Sequence, residues 1–501
     1  MPERFGRGEL PGESASHWTA TSPDPDHEPL ETDLRVDVAV VGGGAAGLSA
    51  AMALRDRGHA VVVLERDRIA TGGTDGVLAG GRGLVYAHLR EAFGPRAARI
   101  HAEATETAIE TVTGRIAELG VDAGFERLPA YVYGDSRDPI EREVEAARAA
   151  GLESSLVTST PPFDRAASAI RIEDRARIHP RRYLLGLAGA FAERGGTAIH
   201  ERTPVTDVDP GRTPTLETPG GTVAADAVVL ATGFPPLDRA GHAVRLLPRR
   251  SYHLGVRIDG PSPEGIYRRT GDPERSVVAA DGALLVGGEG HRTGQGGSTA
   301  ARYRRLADWS RERFPVRSID RRWSAGSYVP ADGLPSIGRA GVGADGVYVA
   351  AGFGSWGIAG GVAAGELLAD AVDGVDRPEL DLYDPLRLTP RATVAGGLGE
   401  GLDAASRVAT DWLRSVTDPG REPREPGEGR VIRRGGRPVA VVRDRDGECH
   451  AVDARCPHGS CLVAWNDAEA SWDCTCRGSR FAADGAVLEG PATTALRSVE
   501  R

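Results

Sequence analysis

The chain has 501 residues, 26% of them charged, with a formal net charge of −10, the profile of an ordinary folded protein of two or three domains. The negative balance gives no general pull toward nucleic acid or an anionic membrane surface. All 61 basic residues are Arg, and without Lys no Schiff base can form, which excludes lysine-linked pyridoxal chemistry.

Residues 1–32 are rich in Pro, Glu, Asp, Ser and Gly and hold no apolar run of signal-peptide type. They are expected to form a flexible tail on a cytoplasmic protein. Val36, Val38, Val40 and Val41 then make an apolar run of strand type. Residues 45–57 have helical composition, Gly58 stops them, and 61–64 is a second buried strand closed by Glu65. Gly42, Gly44 and Gly47 fall on G-x-G-x-x-G between strand and helix. Strand, glycine turn, helix, strand and terminal acid in this order form a dinucleotide-binding fingerprint. Gly42 permits the tight turn, Gly44 the close approach of a pyrophosphate, and Gly47 the packing of helix on strand. The free N–H groups of the first helical turn face the phosphates, and Glu65 is placed to bind an adenosine ribose.

The glycine-rich residues 68–83 predict a loop running close to a ligand. Ile100, Ala104, Ala108, Val112, Ile116 and Leu119 follow the helical period and predict a long scaffold helix over 97–119. Helices are also expected at 139–150 and 179–194, followed by strands at 198–200 and 203–208. An apolar strand ending in Ala231-Thr232-Gly233 returns the chain to the nucleotide domain. Residues 246–258 and 276–286 are strand-rich, and 303–314 is an amphipathic helix. Residues 347–372 read as strand, glycine turn and helix, a geometry that presents backbone N–H groups to a cofactor. The most apolar windows, 36–54 and 347–372, are glycine-rich and interrupted by Asp37 or Glu366, which favours buried nucleotide-site helices over membrane spans. Past Tyr383-Asp384-Pro385 comes a helix-bearing connector, and the Pro/Glu/Gly-rich stretch 418–429 marks a domain boundary. Beyond Arg430, short strands at 431–432, 438–442 and 449–452 alternate with Gly and Asp turns, as in a small β domain. All five cysteines lie between Cys449 and Cys476, a terminal cluster that suggests metal.

Together the fingerprint with Glu65, Ala231-Thr232-Gly233, Asp332-Gly333-Leu334-Pro335 and the turn at 352–357 resemble the D-amino-acid-oxidase-like FAD oxidoreductases. His179-Pro180 with Tyr183-Leu184, Gly288-Glu289-Gly290-His291 with Thr293-Gly294-Gln295, and the cysteine segment are similar to the branch with a fused Rieske [2Fe–2S] domain. The resemblance runs from residue 33 to the C-terminus. It implies an α/β FAD-binding Rossmann-like domain with an α+β substrate domain, plus a small all-β Rieske-like domain. Nucleotide-binding parts are expected at 33–85, 172–240 and 325–385, substrate parts at 86–171 and 241–324, a connector at 386–429 and the Rieske-like domain at 430–501. The resemblance implies FAD contacts from Gly42, Gly44, Gly47, Glu65, Arg66, Thr74 and Val205. It adds Thr232, Gly233, Gly352, Gly354, Trp356 and Gly357. It also implies oxidation of a C–N bond of an amine or amino acid by hydride transfer to flavin, with the protein supplying orientation and no obligatory side-chain base. Tyr252, His253 and His291 are catalytic candidates because they adjoin the family's pocket-lining segments, and each is equally explicable as a satisfied structural residue. Amino-acid-oxidising relatives place an Arg before the Asp-Gly-x-Pro segment to grip the substrate carboxylate. Around Ser327-Tyr328 this chain has none, which favours an amine over a simple α-amino acid.

A Rieske site uses C-x-H and C-x-x-H, with two thiolates on one iron and two imidazoles on the other. Cys456, His458 and Cys474 match three ligands, the resemblance implies a Cys461–Cys476 disulfide, and Cys449 reads as a plain strand residue. The fourth position is Arg477, whose protonated guanidinium is a poor iron ligand. Three states stay open: the fold kept with the cluster lost, a cluster with altered ligation by Cys476, Arg477 or water, or a partner or different metal. Three functions are expected as alternatives: an FAD-dependent oxidoreductase of an amine or amino acid passing electrons through or beside the Rieske-like domain to a redox protein or O2, a flavoenzyme whose C-terminal domain docks another protein, and a non-enzymatic flavin-binding protein.

Overall fold

The computed structural model describes residues 10–499 except 82, 160–162, 164–167, 355, 389–420, 445 and 460. Within it, strands Ser336–Arg339, Val347–Ala351, Gly221–Gly233, Leu34–Val41, Val61–Leu64 and Thr197–His200 lie side by side in that order. The last five run parallel. Their sequences lack polar alternation because both faces are covered: Val38, Ala39, Val40 and Val61, Val62, Val63 are all buried. Helices Ala45–Asp56 and Gly357–Val372 follow the two glycine turns and pack against each other through small residues. A Cβ on Gly361 would lie 2.7 Å from that of Ala45, and one on Gly365 would lie 2.4 Å from that of Ser49. Two cofactor-type helix N-termini are thereby brought to one edge of the sheet.

A second sheet runs Glu13–Ser14, Val316–Pro330, Leu246–Ile258, Ala283–Arg292, Arg275–Ala280, Ile266–Arg269, Glu126–Gly134, Ser168–Arg177 and Val77–Leu78. Helix Thr299–Arg313 covers one face, where Tyr303 and Leu306 pack on Tyr252 and Leu254. The helices expected at 97–119, 139–150 and 179–194 are found as Pro95–Leu119, Arg137–Ala149 and Pro180–Ala192. Division into nucleotide and substrate parts needs adjustment at the edges. Val77–Leu78, Ser168–Arg177 and the end of Val316–Pro330 belong to the second sheet. The long helix Pro95–Leu119 shares a core with the nucleotide helices, through Ala108, Ile109 and Val112 beside Leu48 and Val362. The strand expected at 203–208 shrinks to Asp207–Asp209. Ahead of it, Thr203 turns its N–H to the Glu65 carbonyl and its hydroxyl to the Leu30 N–H.

The expected flexible tail is packed from Leu10 onward, while residues 1–9 lie outside the described ones. Trp18 is 1% exposed and stacks edge-on against His179. Asp24 and the Pro23 carbonyl accept from Arg181, each at 2.7 Å. The buried Trp18 and the buried Arg181 guanidinium, which holds the segment through Pro23 and the exposed Asp24, supply the anchoring that polar composition alone did not foretell.

The C-terminal unit is all-β. Gly429–Arg434, Arg437–Arg443 and Cys449–Asp453 form one antiparallel sheet, and Val463–Asn466, Ser471–Cys474, Arg480–Phe481 and Val487–Glu489 form another. Of the expected helix-bearing connector at 386–429, residues 389–420, including 418–420 of the boundary stretch, lie outside the described residues. Gly427 is tied to this unit, donating to the Arg443 carbonyl and accepting from Trp465 Nε1. Among the described residues, no helix is long and apolar enough to cross a membrane.

Candidate active site at a two-domain cavity

A cavity of about 640 Å³ runs between the two sheets, from the first glycine turn to the segment Ser324–Tyr328. The three fingerprint glycines meet different surroundings. A Cβ on Gly42, at φ 110°, would lie 2.6 Å from the Ala231 carbonyl oxygen, and one on Gly47 would lie 1.8 Å from that of Gly42. Both are demanded by backbone packing. Gly44 lines the cavity, and its missing Cβ would point into open space. Glu65 ends the neighbouring strand and accepts from Gly43 N–H at 2.7 Å and Asp67 N–H at 2.9 Å. Burial raises its carboxyl above the ordinary value, against the pull of those two donors. An open seat at a helix N-terminus beside a fixed carboxylate fits a dinucleotide's pyrophosphate and ribose.

Arg66, Thr74, Val205, Thr232, Gly233, Gly352, Gly354 and Gly357 also line this space. The Thr74 carbonyl is held by Trp18 Nε1 at 2.7 Å, so the N-terminal segment buttresses the cofactor loop. Trp356 does not line the cavity. Its indole turns into the core, donating to Thr105 and packing on His101 at 4.4 Å.

The far end of the cavity is walled by Arg249, Arg250, Ser251 and by Trp323 to Tyr328. Tyr252, His253 and His291 are not part of this wall. Tyr252 is fully buried against Tyr303, and its hydroxyl lies 2.9 Å from His291 Nε2. Burial, with Arg302 beside it, lowers His291 to about 4. His253 stacks on Trp323 and lines only a minor crevice. Side chains of a strand alternate between its two sides: Tyr252, with His291 bound to it, packs toward the helix Thr299–Arg313, whereas His253 lies on the Ser251 side and stacks on Trp323 without lining the cavity.

The C-terminal unit contributes a wall that sequence reasoning missed. Gly478 and residues 488–493 line the same cavity. Tyr328 donates to the Arg477 carbonyl at 3.0 Å, and Arg250 pairs with Glu489. Asp467 accepts from Thr299 N–H at 2.8 Å and Ala300 N–H at 2.9 Å, capping the helix Thr299–Arg313 from the other domain. Burial raises its carboxyl, and these donors with Ser298 overcome that and hold it below its ordinary value. The chain's single Asn and single Gln both serve this interface. Asn466 Oδ1 accepts from Thr299 Oγ1 at 2.6 Å, and Gln295 Nε2 donates to the Thr475 carbonyl at 3.2 Å. Gly294 approaches Asp473 so closely that a Cβ would lie 2.8 Å from its carbonyl oxygen. Gly294 and Gln295 of the motif at 288–295 therefore sit at a domain junction, a role their spacing did not reveal.

In the C-terminal unit Cys456 and Cys474 lie side by side on two loops clamped by the Cys461–Cys476 disulfide. The hydrogen bond between the two thiols pushes Cys456 up and pulls Cys474 down, and backbone N–H groups of Arg477, Cys476 and Gly478 also stabilise the Cys474 thiolate. Such a thiolate nest suits an iron–sulfur centre. Arg477 does not complete it: its Nη1 lies 3.4 Å from His458 Nδ1 and donates to the His458 carbonyl at 3.3 Å. Cys456, His458, Cys474 and Arg477 do not make a two-Cys, two-His set. His458 packs edge-on against Phe234, which itself borders the cavity.

Residues 37–371 match the FAD dependent oxidoreductase family, and residues 419–500 match the Rieske [2Fe-2S] domain. A Bacillus subtilis protein described as a putative Rieske 2Fe-2S iron-sulfur protein, YhfW, is 30% identical over 97% of both chains. Gamma-glutamylputrescine oxidoreductase of Escherichia coli is 27% identical over 40% of this chain and 50% of its own. Among solved structures, glycine oxidase from Geobacillus kaustophilus superposes with a TM-score of 0.61 at 23% identity, covering 71% of this chain and 99% of that one. With the fold, the cavity and these matches in agreement, the chain belongs to the FAD-dependent oxidoreductase family, extended at its C-terminus by a Rieske domain.

Proposed function

We propose that the protein oxidises a C–N bond of a small amine, with FAD lying along the cavity and the Rieske-like domain closing it. The observation that carries this proposal is the continuity of one cavity from Gly44 and Glu65 to Ser324–Tyr328, a length that suits a cofactor at one end and a substrate at the other. Bound FAD would supply the acceptor for the hydride leaving the carbon beside nitrogen. Gly44, the first turn of helix Ala45–Asp56 and Glu65 would hold its pyrophosphate and ribose, while Thr74, Gly354 and Gly357 would border its other end. The chain's part in the chemistry is positioning: Trp323, Ser324 and Gly326 form the substrate face, and residues 488–493 exclude water. The segment before Asp332-Gly333-Leu334-Pro335 carries no Arg, which supports an amine over an α-amino acid. Names of similar proteins, gamma-glutamylputrescine oxidoreductase and glycine oxidase, support the C–N class.

No electron step is routed through the cysteine loops, because Arg477 stands at the fourth ligand position. Their domain is proposed to act as a wall of the site. The test is anaerobic addition of a panel of amines and the matching α-amino acids to the full-length, FAD-loaded protein. Amines are expected to bleach the flavin absorbance. Bleaching by neither class would reject C–N oxidation, and bleaching by amino acids alone would reject the amine assignment.

A further inference from the structure

Arg250 lies on strand Leu246–Ile258, directly across from Gly326 of Val316–Pro330. It therefore flanks the place where amino-acid-oxidising relatives are expected to hold a carboxylate. Only 2% of it is exposed, its Nη1 donates to Ser324 Oγ at 2.7 Å, and its Nε has no hydrogen-bond partner among the described residues. Nη2 is paired with Glu489 Oε2, and Glu489 is the carboxylate in ion-pair contact with this guanidinium among the described residues. That carboxylate comes from the other domain.

A Cβ on Gly326 would lie 3.2 Å from Arg250 Nη2 and 3.3 Å from Glu489 Oε2, so the ion pair sits against the cavity floor. The Glu489 side chain keeps 41% of its surface accessible although protein surrounds it, because that surface faces the cavity it lines. Arg480 Nη1 holds its second oxygen at 2.7 Å and is itself bound to Asp473 and Glu469. Two cations thus face three carboxylates. Removal of Glu489 would leave Arg480 paired with Asp473 and Glu469, and Arg250 without an anion.

Resting on the amine proposal and deepening it, we propose that Glu489 occupies the anion seat of Arg250 in place of a substrate carboxylate, and so restricts the flavin site to amines that carry none. A guanidinium with an open edge is the natural partner of a carboxylate. Here Glu489 of the Rieske-like domain fills that position and neutralises the Arg250 charge at the cavity wall. Glu489 is a specificity-determining residue, and the two domains build the site jointly.

The test uses full-length protein and benzoate, a carboxylate probe that is not oxidised. Binding is read by perturbation of the flavin spectrum and, independently of flavin, by calorimetry. Glu489→Ala is expected to bind benzoate at least tenfold more tightly than wild type, and Glu489→Ala with Arg250→Met is expected to lose that gain. Benzylamine binding should fall in Glu489→Ala. If the alanine variant misfolds by circular dichroism, the near-isosteric Glu489→Gln is read in its place and should show the same direction. Equal benzoate affinity in wild type and a folded variant, or a gain that survives loss of Arg250, would overturn the proposal. Protein that takes up no FAD would reject the proposed function, while calorimetry would still decide the role of Glu489.

Discussion

The flavin cradle and the cysteine loops are built in similar ways and end in opposite states. Each is a pair of tight backbone turns held by contacts that leave its own donors pointing inward. In the cradle, Gly42 and Gly47 are locked by close backbone approach, and Gly44 leaves its space open. In the loops, the disulfide locks the turns and N–H groups converge on Cys474, but the Arg477 guanidinium lies against His458. A scaffold can therefore persist where its ligand chemistry has changed, provided that it gains other contacts. The Rieske-like domain has them: the trans-domain cap at Asp467, the Arg250–Glu489 pair and the wall at 488–493.

Substitution of the glycines should have the largest effect. Gly44→Val should give folded, colourless protein, whereas Gly47→Ala should fail to fold, since its Cβ meets the Gly42 carbonyl oxygen at 1.8 Å. Flavin absorbance and circular dichroism together separate the two outcomes. Trp18→Ala comes next. It empties a fully buried site and removes the donor to the Thr74 carbonyl, so about 3–5 kcal/mol of stability should be lost, with weaker FAD retention. Chemical denaturation of the FAD-loaded protein measures both.

On the other side of the comparison, purified protein should carry substoichiometric iron and sulfide, and Arg477→His should raise both. Metal analysis decides it, and a full cluster in the unmodified protein would contradict the broken-ligand account. A smaller effect concerns acid. Burial raises the Glu489 carboxyl, but Arg250 and then Arg480 outweigh it and hold it at about 2, below the ordinary 4.5. The pairing should therefore stabilise domain docking fully above about pH 4.5, with the contribution lost as pH falls toward 2. Small-angle scattering across that window should show the domains separating, and Glu489→Gln should flatten the dependence. The smallest change is Tyr328→Phe, which removes a hydrogen bond to Arg477 and should cost about 0.5–1.5 kcal/mol, read from the same denaturation curves.

Much of the architecture was legible because period and punctuation are local properties. The parallel strands, the long helix and the C-terminal hairpins announce themselves through Val runs, Ala spacing and Gly turns. Arg477 was equally visible, since a ligand motif is read at fixed offsets. The catalytic candidates were not, because tertiary packing decides which polar side chains reach the cavity: Tyr252 turns onto Tyr303 and pairs with His291, while Arg250, two residues away on the same strand, meets Glu489. Glu489 and Asp467 lie far along the chain from the groups they serve, so no spacing links them. The N-terminal segment shows the same limit: Trp18 in a polar stretch was the available signal, and it outweighs the composition around it.

Both domains wall one cavity in this structure. Hydrogen exchange of the full chain, compared without and with FAD, tests most directly whether the cofactor occupies it. The prediction is slower amide exchange at 42–47 and, alongside it, at 488–493. Protection confined to the flavin domain, with the C-terminal loop unchanged, would contradict a cofactor cavity walled by both domains.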